Sequence, residues 1–282
     1  MSDPKLIIRT AWQPKAGHRP EEYEDAFAVS SPRLPFRAAI ADGATESIFS
    51  GGWARALVDA FVSGCKTNED AGALNAGDMA SNSADMAPNA GDLAPNAGDK
   101  ATNSADMASN ARDLAPNADG ATPNTYSPMS EAIRQARDSW SPEPDTRWYV
   151  AAKAAEGAHA AILSFELRQD GWVAEAVGDC CLFHLRGDAL LKAWPIDDPD
   201  AFTHRPPLVS SRDTPTEILG ASGDWCPGDA FVFATDAVAE WLLRGRSIEA
   251  LNGEPVERWL EAVKRGGMRN DDATLIHVYI QP

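Results

Sequence analysis

Between residues 75 and 123 the chain repeats itself every seven residues, seven times over. The first two copies read Asn75-Ala76-Gly77-Asp78-Met79-Ala80-Ser81 and Asn82-Ser83-Ala84-Asp85-Met86-Ala87-Pro88. A seven-residue period would suit a coiled coil, but a coiled coil needs two apolar positions in each heptad. Here only the fifth position takes a large apolar residue, and Lys100 replaces it in the fourth copy. Asn opens every copy, and Gly, Asp and Pro recur. These residues favour turns over helices and bury little apolar area. The sequence therefore predicts a disordered surface insert over 75–123 with no chemistry of its own. What must fold is the other 233 of 282 residues, 1–74 and 124–282, so 1–282 reads as a single domain with one interruption.

Hydrophobic residues make up 44% of the chain, enough for a sizeable core. No apolar run reaches the ~18–20 residues that span a bilayer. Met1-Ser2-Asp3-Pro4-Lys5 lacks the basic start and apolar stretch of a signal peptide, so a cytoplasmic location is expected. The formal net charge is −17, of which the repeat carries −5 and the rest of the chain −12. So acidic a chain repels nucleic acid and anionic membranes, and both are excluded as partners. Cys65, Cys180, Cys181 and Cys226 form no CxxC pair; they read as buried reduced thiols, not a zinc or disulfide framework.

Strand patterns outnumber helical ones. Leu6 to Trp12, Ala26 to Ser30 and Phe36 to Ala41 read as strands. A helix follows through Trp53, Leu57 and Phe61, and a second through Met129, Ile133 and Trp140. A further helical stretch leads into Gly157. Ala161 to Leu167, Trp172 to Val177, Cys181 to Leu185 and Ala189 to Trp194 are then separated only by short turn signals, which predicts an antiparallel meander. Ala230 to Ala234 is a buried strand, 237–243 and 255–265 are helices, and Ala273 to Ile280 is the last strand. The pattern is α+β, with antiparallel sheets covered by helices.

Aspartates stand at the ends of these strands. Asp42 ends one and is followed by Gly43; Asp236 ends another and opens a helix. Asp271 directly precedes the last strand, and Asp25, beside Glu24, begins an early one. A carboxylate at a strand end is held by a rigid sheet yet points to its rim. Several converging on one point would repel each other, and hard divalent cations such as Mg²⁺ or Mn²⁺ relieve that repulsion. Taken singly, each Asp reads equally well as a turn or cap residue.

The wording around these residues resembles the metal-dependent protein phosphatase family, the type 2C serine/threonine phosphatases. Six segments come in the family's order: Glu24-Asp25-Ala26-Phe27, Ala39-Ile40-Ala41-Asp42-Gly43, Gly157-Ala158-His159-Ala160, Ala176-Val177-Gly178-Asp179, Phe231-Val232-Phe233-Ala234-Thr235-Asp236, and Asn270-Asp271-Asp272-Ala273-Thr274-Leu275. The resemblance implies a four-layer αββα sandwich of two antiparallel sheets with helices on both outer faces. It implies two Mn²⁺ or Mg²⁺ ions at one end of the sandwich. Asp42 would bridge them, the Gly43 carbonyl would bind one, Asp236 and Asp271 the other, and Glu24 and Asp25 would bind directly or through water. Hydrolysis of phosphoserine and phosphothreonine on proteins would proceed by attack of a metal-bridging hydroxide. A phosphorylated protein is then the expected partner, with room for a partner serine/threonine kinase, and the chain is expected to be a monomer.

Some positions depart from the family's pattern. Ala44-Thr45-Glu46-Ser47 replaces the usual Gly pair, and a histidine general acid would have to come from His18 or His159. Ala237 follows Asp236 in place of Gly. Pro20 stands where the family has a phosphate-holding Arg, leaving Arg19, one residue back, as the candidate. Ala154 stands where an acidic third-metal ligand often occurs, with Glu156 nearby. His277 and the Gly178-Asp179 turn read as structural. The altered loop and shifted Arg also fit an alternative, a pseudo-phosphatase serving as a binding module.

Overall fold

The computed structural model describes residues 4–45, 47, 49–64, 74–75, 127–141, 153, 155–245, 251 and 255–282. The repeat, Asn75 apart, lies outside these residues, as do Glu46, Cys65 and Ala154. Of the helical stretch expected before Gly157, the described residues Lys153, Ala155 and Glu156 are helical.

The chain runs through β1 (Leu6–Gln13), β2 (Ala26–Val29), β3 (Phe36–Gly43), α1 (Ser50–Ser63), β4 (Leu74–Asn75) and α2 (Pro128–Ser139). It continues through β5 (His159–Arg168), β6 (Gly171–Val177), β7 (Cys181–Arg186), β8 (Ala189–Trp194), β9 (Val209–Ser210) and β10 (Leu219–Gly223). It closes with β11 (Asp229–Ala234), α3 (Asp236–Leu243), α4 (Val256–Arg265) and β12 (Ala273–Ile280). The strands form a five-stranded sheet, β1-β12-β11-β7-β8, and a second one, β10-β6-β5-β3-β2-β4, with β9 paired to β5. Every pairing is antiparallel.

Strand alternation explains the layering. In β3, Phe36, Ala38 and Ile40 face the other sheet, while Ala39 and Ala41 face outward. In β11, Phe231 and Phe233 face inward, and Ala230, Val232 and Ala234 face out. Both faces are apolar because both are covered, which is why these strands read as continuous hydrophobic runs. Between the sheets Phe165 meets Phe231 and Phe233 at 4.9 and 5.0 Å between ring centres. Truncating such a ring to Ala costs ~3–5 kcal/mol. Outside the second sheet, Trp53, Leu57 and Phe61 of α1 pack with Met129 and Ile133 of α2. Outside the five-stranded sheet, Val238 of α3 and Trp259 and Leu260 of α4 do the same. The result is the αββα sandwich expected from the sequence.

The expected meander is not a single one. β5–β6 and β7–β8 are hairpins of different sheets, and the chain crosses the sandwich between Val177 and Cys181. Gly178 makes the crossing, with φ +99°. A Cβ there would lie 2.5 Å from the Ala161 Cβ and 2.8 Å from the Pro207 carbonyl oxygen. Turn residues alone do not say which sheet the next strand joins. Among the described residues no helix is long and apolar enough to cross a membrane.

Register decides where the acidic residues go. Ala26 opposes Ala41, Asp42 opposes Ala161, and Ile162 opposes Val177. In the other sheet Ala234 opposes both Leu275 and Cys181. The start of β2, the ends of β3 and β6, the start of β7, the end of β11 and the start of β12 therefore gather at one end of the sandwich.

Candidate metal centre

Asp25 immediately precedes β2 and is 2% exposed. Its Oδ2 accepts hydrogen bonds from the hydroxyls of Thr235 (3.1 Å), directly after β11, and Thr274 (2.6 Å), the second residue of β12. Tyr23 OH closes on the same Thr274 hydroxyl. These contacts stitch the two sheets together at the acidic end. The other oxygen of Asp25, Oδ1, is buried without a partner. Burial pushes this carboxyl well above the usual carboxylate range; the Thr274 hydrogen bond opposes the shift, and the charges of Asp272 and Asp236 add to it.

Asp42 leaves the rigid end of β3, half-buried. Burial, then the charges of Asp25, Asp236, Asp179 and Asp271, raise its pKa well above normal. Asp236 is the first residue of α3, and its Oδ1 is also buried without a partner. Burial raises its pKa, and the guanidinium of Arg269 opposes that rise. Asp271 keeps its side chain 39% exposed, with Oδ1 accepting the Asp272 N–H at 3.0 Å. Asp42, Asp236 and Asp271 line one cavity of about 540 Å³. Asp25 does not line that cavity, but its charge acts on Asp42 and the Asp236 charge acts on it.

Glu24 and Gly43 sit differently. The Glu24 carboxylate accepts a hydrogen bond from Ser50 Oγ (2.7 Å) and pairs with Lys15 Nζ (3.6 Å), turned toward the start of α1. At Gly43 a Cβ would meet the Glu24 carbonyl oxygen at 2.6 Å and the Ser50 carbonyl carbon at 2.9 Å. The glycine thus lets β3 press against the backbone of Glu24 and of α1. Arg19 does not join the group. Its side chain is 77% exposed and lies 3.6 Å from Glu22, and it does not line the cavity. The 3-10 turn at Pro20–Glu22 begins directly after it and keeps it outside. His159 does line the cavity, along with His204 and Arg205, whereas His18 borders a separate pocket beside Glu24.

Besides Arg205, the residues Asp179, Asp272 and Arg269 belong to the site and were not singled out from the sequence. Asp179, read as a turn residue, is 4% exposed and lines the same cavity. Burial first, then the charge of Asp236, pushes its carboxyl up to about 7. The available signal was the pattern applied to the other aspartates: it directly follows a strand and a glycine. Asp272 is 5% exposed and accepts the backbone N–H groups of Lys15 (2.8 Å) and Glu24 (2.7 Å). It ties the loop carrying Glu24 and Asp25 to the start of β12. Arg269 pairs with Asp236, with Asp271 at 3.5 Å and with Glu240 at 3.7 Å.

The donor set is all oxygen and mostly carboxylate, which suits Mg²⁺ or Mn²⁺ over softer ions. Two buried carboxylate oxygens without partners, and pKa values raised first by burial and then by neighbouring carboxylate charge, are what an added cation would relieve. The residues therefore fit such ions. Among the described residues, no group of three His, Cys, Asp or Glu side chains is already arranged to hold one.

Comparison with solved structures agrees with the layering. The serine/threonine phosphatase PstP/Ppp of Mycobacterium tuberculosis superposes with a TM-score of 0.58 at 13% identity, over 99% of this chain and 100% of that one. The catalytic domain of PstP in complex with two manganese ions gives 0.53 at 15% identity, over 98% and 100%. The photosystem II phosphatase PBCP gives 0.57 at 14% identity, over 98% and 99%. The chain has the type 2C phosphatase fold. No family model and no curated protein matches the sequence, so the likeness rests on architecture. In this type 2C architecture the acidic group lies where β3, β11 and β12 end or begin together.

Proposed function

We propose that the chain is a metal-dependent phosphatase acting on phosphoserine and phosphothreonine in proteins, with Mn²⁺ or Mg²⁺ at the acidic end of the sandwich. The observation that carries this reading is the cavity wall. Asp42, Asp179, Asp236 and Asp271 face one space, and buried oxygens of Asp25 and Asp236 stand without partners. Divalent ions bound there supply a water acidic enough to attack phosphorus near neutral pH and offset the charge of a phosphate.

The chain's own part is positional. Asp42, on a rigid strand end, would hold the ions together with Asp236 and Asp271, and the Gly43 carbonyl would be a further oxygen donor. Asp25 is pinned through one oxygen by Thr235 and Thr274, which leaves its second oxygen fixed in place. Glu24 acts at the margin, through water. Arg205 and His204 line the same cavity and are the cavity's groups for a phosphate's outer oxygens; Arg19 is left for a more distant part of a peptide. No cysteine or serine nucleophile is needed, and Cys180 and Cys181 are buried with thiols pushed up by burial. The substrate class is supported by PstP, a serine/threonine phosphatase of the same fold. The pseudo-phosphatase alternative is disfavoured by the intact carboxylate set.

The test is turnover of a phosphothreonine peptide with Mn²⁺, beside an Asp42→Asn control and an EDTA blank. Turnover that needs Mn²⁺ and drops at least ~100-fold in the control, the scale for loss of a central electrostatic group, supports the reading. Wild-type turnover no faster than the control, with no Mn²⁺ bound in an equilibrium titration, would sink it.

A further inference from the structure

The acidic end already holds one cation, and it belongs to the chain. Arg269 lies between α4 and β12, two residues before Asp271. Its Nη2 pairs with Asp236 Oδ2 and stands 3.5 Å from Asp271 Oδ2, while its Nη1 stands 3.7 Å from Glu240 Oε2. One guanidinium thus draws on three carboxylates, and two of them are the pair assigned above to a single ion. A planar fork of N–H donors fixes the direction in which each carboxylate must turn. Asp236 Oδ2 and Asp271 Oδ2 both face one guanidinium nitrogen, Nη2, on the wall of the cavity, so Arg269 occupies the oxygens that a cation there would use. This also fits the buried, partnerless Oδ1 of Asp236, the oxygen on the side away from the guanidinium's grip.

Glu240 gives the guanidinium somewhere to go. It lies one helical turn after Asp236 on α3, and its Oε1 is already engaged with Arg244 at 2.9 Å. Its Oε2 faces Arg269. Loss of Asp236 and Asp271 would therefore leave Arg269 one carboxylate to rest on without leaving the wall.

We propose that Arg269 is the resident counter-ion of the metal-free site, and that a divalent cation enters by displacing it from Asp236 and Asp271 onto Glu240. Arg269 then sets the cation affinity through competition for the same oxygens. The inference rests on the metal-dependent reading above. It makes opposite predictions for two neighbouring substitutions: removal of Arg269 tightens cation binding, and removal of the Glu240 charge weakens it.

The experiment is calorimetric titration of the full chain with Mn²⁺, together with thermal unfolding in EDTA and in Mn²⁺. Arg269→Ala is expected to bind Mn²⁺ about tenfold more tightly, the change for loss of one half-exposed charge-assisted pair. Its metal-free form is expected to melt lower and to gain more from Mn²⁺, as linkage requires. Arg269→Lys keeps the charge without the fork and is expected in between; it serves if the Ala variant does not fold. Glu240→Gln is expected to bind severalfold more weakly. Unchanged or weaker Mn²⁺ binding in a folded Arg269 variant overturns the proposal, even if wild-type turnover with Mn²⁺ is normal. If no variant and no wild type binds Mn²⁺, this proposal and the functional reading fall together.

Discussion

Asp272 supports a quantitative test of how the site is held. Its carboxylate accepts two backbone N–H groups, from Lys15 at 2.8 Å and Glu24 at 2.7 Å, and the residue is 5% exposed. Hydrogen bonds to a charged acceptor contribute ~1.5–3 kcal/mol each, and a buried donor left unmade costs ~1–3 kcal/mol. Asp272→Ala removes both bonds at once. Part of the loss is recovered by water, since both N–H groups lie in a partly buried loop, so a cost of ~3–5 kcal/mol is expected. For a domain of this size that lowers the midpoint by about 10 °C or more. Asp272→Asn keeps one acceptor and turns an amide N–H₂ toward the other donor. It also removes a charge that helps raise the Asp25 pKa, so its cost is expected at only ~1–2 kcal/mol. Urea unfolding in EDTA measures both, and an unchanged m-value shows that the folded states are comparable. Mn²⁺ affinity should fall in the Ala variant, because the loop it frees carries Glu24 and Asp25. A cost below ~1 kcal/mol for Asp272→Ala would refute the argument that this carboxylate anchors the loop.

The other predictions are shorter. His277, on β12, is 2% exposed with Nδ1 unpartnered, and burial, then the Arg9 charge, lowers its pKa to about 4. A lowered histidine contributes stability that is present above its unfolded pKa near 6.5 and is lost as pH falls toward 4. This amounts to ~2 kcal/mol between pH 7 and pH 5. His277→Leu should remove that slope in unfolding titrations, and an unaltered acid limb would count against it. Asp42→Asn should raise the melting point in EDTA, since a carboxylate with a raised pKa destabilises the fold once ionised, and should abolish the gain on adding Mn²⁺. Gly43→Ala forces a Cβ against two backbone atoms within 3 Å and should cost ~1–3 kcal/mol of stability together with most turnover; a neutral result in melting and kinetics would deny the tight packing of Glu24 on β3. Arg205→Ala should raise KM for a phosphopeptide severalfold more than Arg19→Ala, and the reverse order would restore Arg19 as the phosphate group.

Much of this fold was legible because both faces of its sheets are covered. Ala230 to Ala234 is apolar throughout and Ala273 to Ile280 is mostly so, broken by Thr274 and His277, and their ends are marked by Asp, Thr or Gly, so the strands stand out. Strands without that mark were missed: Leu219–Gly223 is exposed and contains two glycines, and Val209–Ser210 is too short to show a period. Sheet membership was also not legible. Gly178-Asp179 looks the same whether the next strand folds back or crosses the sandwich, and only the contact with Ala161 and Pro207 decides it. The same ambiguity hid Asp179 in a turn. Asp42, Asp236 and Asp271 could be picked out because each adjoins a recognisable strand, and all three do line one cavity. Arg269 and Asp272 could not be weighted, because their importance comes from partners far along the chain, Asp236 and Glu240 for Arg269, and Lys15 and Glu24, 257 and 248 residues away, for Asp272.

Asp25, Asp42, Asp179 and Asp236 all resist ionisation because burial and mutual charge oppose it. The fold offsets that cost locally. It does so with Thr235 and Thr274 on Asp25, with Lys264 Nζ donating to the carbonyls of Gln13, Pro14 and Asp271, and with Arg269 on Asp236. Of these, the threonines and Lys264 use contacts that a cation would not disturb. Arg269 alone binds oxygens that a cation would claim, so it is the element whose removal should separate the stability of the rim from its affinity for metal.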